Sequence, residues 1–448
     1  MKKRNIFLGM ILAFSLTSCF DMDKMPEGVL STAQPFSSTG EMRNYLDQFY
    51  QTGNPKYGDD KIKVSFGDGL RVHDFGAGGG SGIAGYDTHS DNMSASSVSS
   101  RLAGETTLSG ASKLTNYTAI RNLNFLLCNL GNCVEQGSPD YNQYVGEAYY
   151  FRAWYYYKMF VDYGPLTWVS TPLDPNEEEM RLPRDSRTVV ADSILADLDK
   201  AISYLGEQNN SASMRVHKDV ARALKSDVAL FEGTWEKYHG IKNTPFKVVN
   251  SDGTKFIQKA AEASNALITL AESNGNTKLA DCTGEAGYTN LFNQRDYSSN
   301  KEVLLWRKYS VNDGQYTRWG AYYYGAGRGL TKSLVDSYLC MDGKPISVSD
   351  KYQGDKTLKN VVANRDPRLN QTIFVDDGKG FLRIGNDFLQ AVDIARMERK
   401  GNDRFNRIEV DFNDLVIKCG IVRFHFLVIF RTAVDGKVFF RLCVRRPQ

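Results

Sequence analysis

Two stretches of this chain concentrate side chains that could recognise a ligand. The first, residues 66–92, carries Asp68, Arg71, Tyr86, Asp91 and Asn92 in a Gly/Ser-dominated setting. The second, residues 306–324, carries Trp306, Tyr309, Tyr316, Arg318, Trp319, Tyr322, Tyr323 and Tyr324. Flat aromatic rings stack on the apolar C–H faces of sugar rings, and planar Asp, Asn and Arg groups match vicinal hydroxyls. Trp319 stands beside Gly320, where an exposed stacking platform is plausible, and at least one of Tyr322–Tyr324 should face a ligand. Trp306 alternates in an apparent strand and is expected in the core, as are Trp154 and Trp235 on helices; Trp168 is expected to serve packing.

Catalytic chemistry has little footing. The chain holds no H-E-x-x-H, no G-x-S-x-G and no Walker loop, and its five histidines show no ligand spacing. Gly80–Gly85 matches G-x-G-x-x-G, but it lies in a Gly/Ser stretch rather than between a strand and a helix, so it reads as a loop. Glu177–Glu179 follow Pro175 and read as a solvated turn. No paired carboxylates of glycosidase type are indicated. Neither a cofactor nor a metal is expected.

Cys19 carries a different chemistry. Lys2–Arg4 form a positive start, Ile6–Phe14 a short apolar run, and Leu16-Thr17-Ser18-Cys19 reads as a lipobox. Its thiol is the expected acylation site, and residues 1–18 the expected signal peptide. Asp21 and Asp23 follow at once and look like a surface-export signal. The remaining six cysteines are scattered, without C-x-x-C or zinc spacing. Cys128 and Cys133 could pair only if a helix ends at Gly131; buried free thiols are the alternative.

The elements that would position these groups are mainly helical. Apolar residues at 3–4 spacing predict helices at about 39–51, 116–130, 140–162, 187–205, 217–238 and 255–271. The third, opened by Ser138-Pro139-Asp140 and stopped by Tyr163-Gly164-Pro165, is apolar on most sides and should be buried. Small residues at expected crossings (Gly146, Ala148, Ala221, Ala223) resemble tetratricopeptide-like hairpins without the strict repeat signature. Glu302–Tyr309 reads as a strand, and 342–380 as loop-rich.

Several motifs then occur in a recognisable order: the lipobox Cys19, Tyr117-Thr-Ala-Ile-Arg121-Asn-Leu-Asn124, Val145-Gly-Glu147-Ala-Tyr-Tyr-Phe151-Arg152-Ala-Trp, Asp162-Tyr163-Gly164-Pro165, Leu182-Pro183-Arg184-Asp185-Ser186-Arg187 and Arg365-Asp366-Pro367-Arg368-Leu369. Over about residues 1–380 the chain resembles a SusD/RagB-type nutrient-binding lipoprotein. The resemblance implies a mainly α, tetratricopeptide-like scaffold with a loop-rich second lobe. It also implies a lipid-anchored place on the outer-membrane surface, a SusC-like TonB-dependent transporter as partner, and capture of oligosaccharide, sometimes peptide, without cleavage. The ligand-binding residues expected on this reading are Trp319, Tyr322, Tyr323, Tyr324, Tyr86, Asp91, Asn92, Asp68 and Arg71. Glu147, Arg152, Arg121 and Asn124 are expected to satisfy neighbouring helices, and Arg365, Asp366 and Arg368 to lock a turn. A peptide binder of the same fold and a protein-interaction scaffold are the alternatives.

The expected organisation is a signal peptide (1–18), a tether (19–37), a helical region (38–275) with an inserted loop (64–112), a ligand-binding lobe (276–385) and an atypical tail (386–448). The family's closing helices find no counterpart in the tail, and a frameshifted or truncated product is expected. Charge follows this division. The whole chain is +3. Without residues 1–18 it is formally neutral, 52 basic against 52 acidic, which disfavours nucleic-acid binding. Residues 19–414 carry −6 and residues 415–448 carry +6.

Overall fold

The computed structural model describes residues 34–50, 90–94, 100, 102–105, 116–173, 182–207, 215–274, 278–280, 287–291, 297–305, 329–373, 383–384, 387–388, 428–434 and 437–443. Within them the protein is mainly α. Six long helices form the scaffold: α1 (Thr39–Tyr50), α2 (Asn116–Cys128), α3 (Pro139–Tyr163), α4 (Arg187–Tyr204), α5 (Lys218–Ile241) and α6 (Thr254–Asn274). From α2 to α6 each helix packs on its neighbour in sequence, and α1 lies against α3.

Local chemistry sets the ends. The Ser138 hydroxyl accepts the Tyr141 N–H at 3.1 Å and Pro139 occupies the first turn, so α3 starts there. Gly164 ends it at φ 67°, a left-handed conformation that a side chain resists. Ser186 caps α4 in the same way as Ser138 caps α3. Along α3 the buried residues cover nearly every direction, from Tyr144 to Phe160, because α1, α2 and α4 all lean on it.

Close approach of helices depends on glycine. A Cβ on Gly146 would lie 2.7 Å from Leu205 Cγ, so α3 meets the end of α4 almost backbone to side chain. A Cβ on Gly233 would lie 2.7 Å from both the backbone nitrogen and Cγ1 of Ile257, so the start of α6 fits directly against α5. Gly233→Ala is therefore expected to cost about 2–3 kcal/mol through overpacking, read as a lower denaturant midpoint with an unchanged slope.

The second region is built of short pieces: α7 (Gly287–Leu291), α8 (Lys332–Ser337), α9 (Leu358–Val362) and α10 (Pro367–Asn370). Its small core joins Val362 and Leu369 with Val335, Tyr338 and Ile373. Arg365 organises it. This buried guanidinium donates to the carbonyls of Val335 (2.7 Å), Tyr338 (2.7 Å) and Val361 (3.2 Å), which are chain-end acceptors of α8 and α9. Asp366 caps α10 and pairs with Arg368. The expected turn lock is thus present.

Three two-stranded ladders complete the described chain: β1 (Met93–Ser94) with β2 (Gly329–Leu330), β3 (Arg383–Ile384) with β4 (Asp387–Phe388), and β5 (Val428–Val434) with β6 (Lys437–Cys443). The last pairs Val434 with Lys437, so only Asp435-Gly436 intervenes.

Some expectations need correction. Glu302–Leu305 is turn and bend rather than strand. Val303 and Leu305 are buried, while the Leu304 carbonyl is taken by His217 Nε2 at 2.8 Å, so the alternation reflects two inward side chains. Cys128 and Cys133 do not pair; both are free thiols, and Cys128 is exposed rather than buried. Trp154 and Trp235 sit half-buried at the rim of the core. Trp168 does serve packing, stacking on Tyr156 with ring centres 4.0 Å apart.

Candidate functional site

The two ligand-type segments are joined by a ladder only two residues long. Met93 faces Leu330 and Ser94 faces Gly329 in antiparallel register. Thr331 extends the contact. Its N–H donates to the Asn92 carbonyl at 3.0 Å, and its hydroxyl donates to the Asp91 carbonyl. The chain leaving 66–92 therefore lies against the chain following 306–324, across 240 positions of sequence. A sheet pair of this length is too short to show alternation, so sequence gave no warning of it.

Of the expected ligand-binding residues, Asp91 and Asn92 fall on described backbone. Asp91 is exposed and Asn92 half-buried. Their carbonyls are engaged by Thr331, and the Asn92 N–H donates to Ser90 Oγ at 3.2 Å, which fixes the backbone from which both side chains project. Tyr86, Asp68, Arg71, Trp319, Tyr322, Tyr323 and Tyr324 lie outside the described residues, as do the lipidation residue Cys19, Trp306, Gly80–Gly85 and Glu177–Glu179. Thr331 was not singled out by sequence reasoning. The available signal was its place before an apolar run, where it caps α8 by accepting the Leu334 N–H at 3.2 Å.

The helical scaffold is fastened by three buried arginines. Arg152 on α3 forms a two-pronged pair with Asp197 on α4, both bonds 2.7 Å, and donates to Asn124 Oδ1 on α2 at 2.8 Å. Asn124 then donates to the carbonyls of Val169 and Thr171, each at 3.0 Å, and Arg121 Nε to that of Leu173 at 3.0 Å. Arg215 forks onto Glu147 of α3 at 2.8 and 2.6 Å and reaches Asp47 of α1 at 2.5 Å. Arg187 donates to Glu232 at 2.6 Å, with Phe160 and Trp235 rings facing its guanidinium at 4.3 and 4.0 Å. The motif residues Glu147, Arg152, Arg121 and Asn124 thus satisfy neighbouring helices and loops, as their sequence setting suggested.

Nothing in the described part is arranged as a metal centre: among the described residues no group of three His, Cys, Asp or Glu is placed to hold an ion. His217 is buried, burial holds its pKa below the ordinary histidine range, and its Nε2 is engaged by the Leu304 carbonyl. It is therefore a neutral structural group at pH 7. No helix among the described residues is long and apolar enough to cross a membrane.

Residues 85–230 match a family model described as SusD-like, starch-binding and associating with the outer membrane. This segment is similar to the SusD-like family. The SusD-like segment spans α2, α3, α4 and the first half of α5, and it contains the Arg152 and Arg215 networks in full apart from Asp47. Three solved structures are similar in part. A SusD-like carbohydrate-binding protein from Bacteroides fragilis is 18% identical, with 76% of this chain and 61% of that one covered and a TM-score of 0.49. A second SusD-like protein from Bacteroides fragilis is 20% identical, covering 63% and 55%, with a TM-score of 0.47. A SusD superfamily protein from Bacteroides vulgatus is 16% identical, covering 67% and 62%, with a TM-score of 0.45. The chain thus spans 55–62% of the length of these three structures. No curated protein matches the sequence.

Proposed function

We propose that this SusD-like chain captures oligosaccharides at the outer membrane and passes them to a SusC-like TonB-dependent transporter, without cleaving them. The observation that carries the reading is the β1–β2 ladder. It draws together the ends of two segments, one within the 64–112 insertion and one within the 276–385 lobe, that hold the aromatic and planar polar side chains sugar recognition needs. The family description, starch-binding and associating with the outer membrane, supports the same ligand class and location. Acylation at Cys19 would anchor the chain to the membrane surface. Trp319 with Tyr322–Tyr324 would supply the stacking platform, and Asp91, Asn92, Asp68, Arg71 and Tyr86 its polar and aromatic rim.

Calorimetry of the mature chain against a panel of glycans and peptides tests this. Glycan binding is expected, and Trp319→Ala with Tyr322→Ala should weaken it by roughly 5- to 150-fold, since each lost stacking ring removes on the order of 0.5–1.5 kcal/mol. Unchanged affinity in the double variant would remove the platform assignment. Binding of peptides alone would change the ligand class, and release of new reducing ends would make the protein an enzyme.

A further inference from the structure

The tip of the α5–α6 hairpin presents an unusual surface. Ile241, Phe246 and Val249 are 70%, 65% and 73% exposed there, and Tyr238 is exposed beside them. The exposed Lys237, Lys242 and Lys247 stand among them and make no ion pair among the described residues. The lysines that follow are different: Lys255 and Lys259 are both taken by Asp192 on α4. Asp252 is the exposed carboxylate in the loop; it accepts the Thr254 N–H at 2.9 Å and lies within the field of Lys237, so the tip retains a positive excess.

The tip is also held in shape from behind. Thr244 Oγ1 bonds His239 Nδ1 at 2.6 Å, and the Thr244 N–H donates to the His239 carbonyl at 3.1 Å. The Phe246 ring leans on Trp235 and His239, and the Trp235 indole N–H donates to the Phe246 carbonyl at 3.4 Å. Asn243 and Asn250 adopt left-handed backbone, at φ 46° and 60°, to make the reversals. His239 is neutral at pH 7, because burial and the nearby Arg187 and Lys242 hold its pKa down. So the apolar side chains are outward by construction, and little ordering entropy remains to be lost on contact.

We propose that this tip is a docking surface for an anionic lipid bilayer. A hairpin end is convex, and it offers three separate apolar side chains rather than a flat patch. Such side chains enter the acyl boundary, while lysine ammonium groups on flexible stems reach lipid phosphates around them. A protein partner of ordinary interface size would need a broader complementary face than this tip provides. The proposal is independent of the ligand reading above.

The test uses residues 19–448 carrying Cys19→Ser, so that neither the leader nor an acyl group contributes. Co-flotation with vesicles of equal parts phosphatidylglycerol and phosphatidylcholine is expected. Binding should fall at least ten-fold on pure phosphatidylcholine and weaken with added salt. Ile241→Ser with Val249→Ser, two positions on the outer surface, should reduce binding at least ten-fold with an unchanged melting temperature. Lys237, Lys242 and Lys247 changed together to Gln should abolish the preference for phosphatidylglycerol. Absence of flotation, or flotation unaltered in the Ile241/Val249 variant, overturns the proposal. So does vesicle-independent self-association that the same variant removes, which would assign the tip to a second copy of the chain.

Discussion

Arg215→Met is expected to lower stability by about 5 kcal/mol, enough to unfold much of the protein at ambient temperature. The guanidinium is nearly enclosed and serves two carboxylates at once, Glu147 at 0% exposure and Asp47 at 5%. Removing it strands both in a space lined by Tyr50 and Tyr144, whose rings now face the arginine at 4.6 and 5.4 Å. Glu147 would keep the Gln143 amide at 2.8 Å, which is a small replacement for a two-pronged charged contact. Denaturant unfolding of the variant beside the parent at pH 7 checks this, with a lower midpoint expected for the variant. Adding Glu147→Gln should recover part of the loss. A variant as stable as the parent at pH 7 would mean that the triad contributes nothing net.

That network also marks where sequence reading succeeds and stops. Glu147 and Arg152 could be recognised as structural, because charged residues in a crowded aromatic helix must find partners. The partners themselves, Arg215 and Asp197, lie 68 and 45 positions away, and local periodicity carries no information about them. Helix ends were legible wherever a Ser cap or a Gly-Pro stop wrote them, as at Ser138 and Gly164. Where the stop was weaker the pattern faltered: α5 continues to Ile241, three residues past the expected Tyr238. The candidate site was legible as composition, aromatic and planar polar groups in Gly-rich surroundings, but its assembly was not. The ladder that joins its segments is two residues long, and Met93-Ser94 looks like any loop dipeptide.

The second large effect concerns Glu232 and the pH dependence of the intact protein. Its carboxylate is fully buried on α5 and Oε1 has no hydrogen-bond partner, while its partner Arg187 is faced by the rings of Phe160, Phe231 and Trp235. Burial pushes its pKa up to about 8, against the opposing pull of Arg187. Burial likewise lowers the pKa of Arg187, so desolvation outweighs the attraction between the partners on both sides of the pair. Glu236, one turn along, adds negative charge and is itself held by Thr188 and Ser251. The folded-state pKa thus exceeds the ordinary carboxyl value. The stabilising contribution is complete below the unfolded pKa of about 4.5 and is lost progressively as pH rises toward 8. Its size over that window is on the order of 3 kcal/mol. Glu232→Gln keeps the shape and a hydrogen-bond acceptor for Arg187 but cannot titrate. Its unfolding free energy should therefore vary less between pH 5 and pH 8 than that of the parent, by about that amount, with the two proteins most alike in acid, where both side chains are neutral, and diverging most near pH 8. Parallel pH profiles for the two proteins would show that Glu232 is ionised throughout and that its pairing with Arg187 overcomes burial after all.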